Sequence, residues 1–136
     1  MTYPNVYVAQ VAIGADMDQC IKAFVEAEKH NGPSIIIAYS TCVNQGINMS
    51  KSLEEMKKAV DAGYWFLYRF NPETGLKIDK GQVTDEYTNF LLGERRFSSL
   101  AEKNKDKADK LFTEAKLHAE NTLNKLKHIE NKPQNN

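Results

Sequence analysis

The sequence predicts an α/β fold: a mostly parallel sheet with flanking helices and a long C-terminal helix. Three observations carry this. Residues 6–39 read as strand, helix and strand, short enough for the right-handed crossover that joins parallel strands. Ile35-Ile36-Ile37-Ala38 is an unbroken apolar run, the pattern of a strand covered on both faces. From about Asp106 to Ile129 apolar residues recur at helical spacing among charged ones.

Val6 to Val11 is rich in β-branched and aromatic residues, with Pro4 and Asn5 before it and Gly14 after it, which predicts a strand. A strand of a parallel sheet needs neighbours, so a piece of a larger sheet is expected. Asp16 followed by Gln19 has capping-box spacing, and Met17, Cys20, Ile21, Phe24 and Val25 share a helix face. Gly32 and Pro33 end that helix. Ser34 to Tyr39 forms the next strand. Ser52 and Glu55 repeat the capping-box spacing, with Leu53, Met56, Ala59 and Val60 on the buried face and Gly63 at the end. Tyr64 to Phe70 is an aromatic-rich strand, residues 71–75 a turn, and Leu76 to Ile78 a short edge strand. Thr84 is expected to open a short helix stopped by Gly93, and Ser99 with Glu102 to cap a further turn. The long helix has a narrow stripe of Ala108, Leu111, Phe112, Ala115, Ala119, Leu123, Leu126 and Ile129, suited to lying across a surface or another subunit. The expected organisation is an α/β unit over 1–93, a helical tail over 94–130 and disorder over 131–136.

Composition narrows the function. With 136 residues, 41% of them apolar, the chain suits one domain or a piece of a larger one. Net charge is zero, so there is no electrostatic case for nucleic acid or a membrane surface. Residues 94–136 hold 10 of the 18 Lys/Arg, a mildly basic tail that a solvated helix explains. No apolar run nears the ~20 residues that span a bilayer. The N-terminus does not read as a signal peptide, and two cysteines do not make a disulfide framework, so a cytoplasmic location is expected.

The chemistry-bearing stretch is the loop after the apolar strand, Tyr39-Ser40-Thr41-Cys42-Val43-Asn44-Gln45-Gly46. Function in open α/β sheets gathers where strands end and loops begin. Taken alone, Cys42 reads as a free thiol, and Cys20, on an apolar helix face, as a buried structural cysteine. There is no Cys-x-x-Cys, Gly-x-Gly-x-x-Gly or Walker loop. His30, His118 and His128 read as structural or solvated, and adjacent Glu54 and Glu55 point apart, a poor acid/base pair.

Residues 38–47, Ala-Tyr-Ser-Thr-Cys-Val-Asn-Gln-Gly-Ile, resemble the late cysteine loop of pyruvate:ferredoxin (flavodoxin) oxidoreductases. The resemblance extends through residues 6–15, 62–72 and 90–97, in order and at matching spacing. It implies the C-terminal part of a thiamine-diphosphate-binding α/β domain. It also implies that Cys42 supplies one ligand to a [4Fe–4S] cluster near thiamine diphosphate, with Ser40 and Asn44 beside it as outer neighbours. The family commonly has proline before this cysteine; here it is Thr41. The family's diphosphate and Mg²⁺ motif, an acidic-glycine turn followed by a distant asparagine, is absent from this sequence. The complete enzyme carries out CoA-dependent oxidative decarboxylation of pyruvate to acetyl-CoA, with electrons passing to ferredoxin or flavodoxin. This chain alone is therefore expected to be inactive, to have no catalytic residue of its own and to bind none of these cofactors. The remainder of the polypeptide or a complementary subunit is the expected partner, and homo-oligomers are expected. Two other readings stand beside this one: an independent, non-catalytic α/β partner-binding module, and a segment of another 2-oxoacid oxidoreductase.

Overall fold

The computed structural model describes residues 5–132. The elements follow in the order β1 (Tyr7–Val11), α1 (Met17–Lys29), β2 (Ser34–Ala38), β3 and β4 (Leu67–Asn71 and Gly75–Lys80), with α2 (Ser52–Ala62) between β2 and β3. Three helices close the chain: α3 (Tyr87–Gly93), α4 (Arg95–Lys103) and α5 (Lys105–Glu130). The α/β class is as expected. The strand order is β2-β1-β3-β4.

The sheet departs from the mostly parallel one expected. β1 and β2 pair in parallel, Ala9 opposite Ile36, but β1 with β3 and β3 with β4 are antiparallel. For β3 and β4 the reason lies in the turn between them. Three residues, Pro72 to Thr74, separate the two strands, and so short a link can join only antiparallel neighbours. The parallel pair, β1 and β2, consists of consecutive strands joined by α1.

Alternation along the strands sorts the core. Tyr7, Ala9 and Val11 point to one face and pack against Cys20 and Ala23 of α1. The larger cluster unites Met56, Ala59 and Val60 of α2 with Phe90 and Leu91 of α3, and Ala108, Phe112, Ala119 and Leu123 of α5. Tyr68 and Ile78, on the opposite face from Ala9, pack against it. α5 crosses β4 and also contacts α3 and α4, so the long helix lies across this chain's own body.

Two expected burials fail together. β2 is an edge strand, with Ile35 52% and Ile37 41% exposed, rather than a strand covered on both faces. α1 turns its small residues, Cys20 and Ala23, to the sheet and leaves Met17, Ile21, Phe24 and Val25 exposed. Small side chains allow the helix to approach closely, and the large ones are displaced outward.

The caps also differ in detail. Asp16 accepts from Gln19 N–H at 2.9 Å, but the Gln19 side chain reaches across to Asp79 instead of closing the box. Ser52 does not cap α2: a 3₁₀ turn, Met49–Lys51, runs straight into that helix, and Asn48 caps the turn. Thr84 lies ahead of α3, its N–H bound to Ala62 O, and Ser99 lies within α4. Asn104 begins α5, accepting from Lys107 N–H at 3.0 Å. Asn131 and Lys132, expected to be disordered, still bond back to Lys127 and Ile129; residues 133–136 of that expected tail lie outside the described residues.

Candidate functional site

The Cys42 loop begins where β2 ends. Tyr39 N–H donates to Val11 O at 2.9 Å, carrying the strand pairing one residue further. The Tyr39 ring is buried against Trp65, with 5.3 Å between centroids. Cys42 then adopts an extended conformation, and a 3₁₀ turn, Val43–Gln45, follows. Gly46 closes the turn in the left-handed region, φ 70°, where glycine carries no steric penalty. A Cβ there would also lie 2.2 Å from Arg95 Cβ, so the loop presses directly on the start of α4.

The expected ligand, Cys42, is exposed, as are its neighbours Ser40 and Asn44. Ser40 Oγ makes a long contact, 3.5 Å, to Thr41 O. Thr41, which stands where proline is common in the resembling family, ties its hydroxyl to that of Ser52 at 2.5 Å. The loop is thereby held to the first turn of α2.

The loop's strongest anchors are two residues to which the sequence assigned no role. Gln45 is buried, and its Oε1 accepts from Cys42 N–H at 2.6 Å. Its Nε2 donates to the Tyr39 hydroxyl at 3.2 Å and to Glu94 Oε1 at 3.1 Å. Glu94 is 0% exposed, and its Oε2 accepts from Arg96 Nε at 2.5 Å. The Arg96 guanidinium lies 4.5 Å above the Phe97 ring. Burial raises the Glu94 carboxyl above its ordinary value, although Arg96 pulls the other way. Burial and the nearby Glu94 charge push the Tyr39 hydroxyl up to about 12. The three-residue spacing of Cys42 and Gln45 is that of a capping box and was a usable signal. Glu94 was hidden, because nothing local marks a buried carboxylate 49 residues from its partner.

A second buried polar group lies between α1 and the sheet. Arg69, 6% exposed, donates through Nε and Nη2 to Asp79 at 2.8 and 2.7 Å and through Nη1 to Glu26. Tyr7 OH donates to Glu26 at 2.9 Å, and Gln19 Nε2 to Asp79 at 3.1 Å. Burial alone would raise the Asp79 carboxyl, but the bonds from Arg69 and Gln19 outweigh it and hold it low. Every charge faces an opposite one, so this cluster serves to fasten β1, β3, β4 and α1.

As for a metal, among the described residues no three His, Cys, Asp or Glu side chains converge as a ligand set. The chain has two cysteines, and Cys20 is buried, its thiol pushed up by burial. The donors present suit one corner of an iron–sulfur cluster, Cys42, and not a complete site. No helix among the described residues is long and apolar enough to cross a membrane.

No protein-family model matches the chain. Individual proteins do. The pyruvate:ferredoxin oxidoreductase of Moorella thermoacetica is 46% identical over 135 residues, covering 95% of this chain and 12% of that protein. A pyruvate-flavodoxin oxidoreductase of Klebsiella pneumoniae is 46% identical over 121 residues, 83% of this chain and 10% of the relative. The pyruvate dehydrogenase (NADP+) of Cryptosporidium parvum is 38% identical over 145 residues, 95% of this chain and 8% of the relative. The chain spans about a tenth of the length of the curated relatives it matches.

Proposed function

The chain is a homologue of one segment of the pyruvate:ferredoxin and pyruvate-flavodoxin oxidoreductases, and we propose that it works as that segment. In this reading it completes the α/β domain that binds thiamine diphosphate and Mg²⁺. It supplies Cys42 as one thiolate of a [4Fe–4S] cluster, with Ser40 and Asn44 beside it. The other three thiolates and the diphosphate site belong to the remainder of the polypeptide or to a complementary subunit. The complete enzyme, in the cytoplasm, converts pyruvate and CoA to acetyl-CoA and CO₂ and passes two electrons to ferredoxin or flavodoxin. The hard chemistry belongs to the cofactors; this chain orients one ligand and closes the fold.

The observation that carries the reading is identity of 46% over an alignment that covers 95% of the chain. Two structural features support it. Among the described residues the outer edge of β2 has no strand neighbour, and a free edge accepts a further strand. Beside it Ile13, Ile21, Phe24 and Val25 line an open apolar groove along α1, the kind of surface another helix covers. The same surfaces favour association of copies when the remainder is missing.

The test is Cys42→Ser in the assembled, iron-loaded enzyme. We expect loss of iron and of the electron paramagnetic resonance signal of one reduced cluster. Unchanged iron content together with an unchanged spectrum would refute the ligand role.

A further inference from the structure

A carboxylate only accepts hydrogen bonds, whereas a primary amide donates at one end and accepts at the other. Glu94 Oε1 therefore requires the NH₂ of Gln45 to face it, and does so at 3.1 Å. With that nitrogen shared between Glu94 and the Tyr39 hydroxyl, Gln45 Oε1 is turned to the N–H of Cys42. On the far side Arg96, which has no acceptor, fixes the other carboxylate oxygen. Donation thus converges on Glu94, from Arg96 on one side and from the Cys42 peptide through Gln45 on the other.

We propose that Glu94 is a positioning residue for Cys42: by setting the direction of the buried Gln45 amide, it holds the Cys42 peptide, and with it the thiol, in one orientation. The inference rests on the ligand reading for its purpose, because a pre-set thiolate needs no ordering when a cluster is assembled. Its geometry is independent of any metal. The arrangement also commits the Cys42 N–H to Gln45, so that group is withheld from cluster sulfurs. A purely structural role for Glu94 would loosen the surrounding elements alike. A positioning role concentrates the effect on one peptide group.

The experiment is residue-resolved amide hydrogen exchange on the full 136-residue chain by nuclear magnetic resonance. Tyr39 and Gly46, whose N–H groups bond to Val11 O and Val43 O, serve as internal references. Gln45→Met keeps the side-chain length and removes both ends of the amide. It is expected to speed exchange at Cys42 roughly tenfold, the effect of losing about one hydrogen bond, with the references unchanged. Glu94→Gln, which can face Gln45 either way round, is expected to act in the same direction but less. Tyr39→Phe, which leaves Glu94 in command of the amide, is expected to leave Cys42 unaffected. Should Glu94→Gln abolish folding, Arg96→Met carries the same expectation, since it frees the carboxylate from its outer donor. Unchanged Cys42 exchange in Gln45→Met overturns the proposal, as does Tyr39→Phe matching Glu94→Gln, or equal acceleration at all three amides. The assay needs no iron. Failure of the cluster reading appears instead as unaltered iron in Cys42→Ser, and the two failures are separable.

Discussion

Asp79 is partly buried and Glu94 fully so, and their surroundings drive their protonation in opposite directions. Asp79 is held below its ordinary 3.8, so the stability it contributes is present above that value and is lost as pH falls through the lower folded-state one. Glu94 is raised above its ordinary 4.5, so its contribution is full below 4.5 and is lost as pH rises through the raised value. We expect Asp79→Asn to flatten the acid limb of a stability–pH profile below about 4, and Glu94→Gln to flatten the loss above 4.5, both read from denaturant midpoints. Arg69→Met leaves Asp79 and Glu26 facing each other without their cation. Breaking a buried pair from one side costs about 3–5 kcal/mol, so we expect a clear fall in the urea midpoint; a shift under about 1 kcal/mol would mean that water reaches the site. Cys42 was legible in the sequence because its neighbours form a continuous motif. The pairings Arg69–Asp79 and Gln45–Glu94 were not, because the partners lie 10 and 49 residues apart and only the folded chain brings them together.

At the scale of the element, local signals served well where the chain meets only itself. The bounds expected for the long helix, 106–129, differ from those of α5 by one residue at each end. Asn104 caps it, and Asn104→Ala is expected to cost about 1 kcal/mol, measurable as a lower thermal midpoint. Gly63 closes α2 as its spacing predicted, at φ 88° and with room for no side chain, since a Cβ would sit 2.1 Å from Gln82 O. Gly63→Ala is therefore expected to cost more than the roughly 1–2 kcal/mol of a left-handed residue alone; a neutral result in urea titration would show that the 81–83 strand exit yields. The strand direction was misjudged even though the turn at 71–75 was foreseen. A turn followed by an edge strand already implies a hairpin, and a hairpin is antiparallel. β2 was misjudged for a different reason. Its three isoleucines do read as buried, but while Ile36 packs against the core beneath α1, Ile35 and Ile37 are not covered by the described residues.

At the scale of the whole molecule, the exposed isoleucines Ile35 and Ile37 of β2, on the sheet face opposite α1, and the outer face of α1 are two apolar surfaces left uncovered by the described residues. Their sequences are patterned for burial and their places in the fold are not buried. This mismatch is the structural counterpart of a chain that spans about a tenth of its relatives. Ile21→Lys with Phe24→Lys is expected to leave the urea midpoint within about 0.5 kcal/mol of the original, because both side chains are already 56% exposed. The same pair is expected to weaken association of the chain, seen as later elution on gel filtration. A large loss of stability instead would place those residues inside this chain's own core.

The size and content of the native assembly, measured in anaerobic lysate by gel filtration with mass-spectrometric identification and iron analysis of each fraction, bear most directly on the central claim. We expect this chain to travel with a larger thiamine-diphosphate-binding polypeptide and with iron, and the iron to fall when Cys42 is serine. Elution of the chain alone, free of iron, would contradict the claim and leave an independent α/β module in its place.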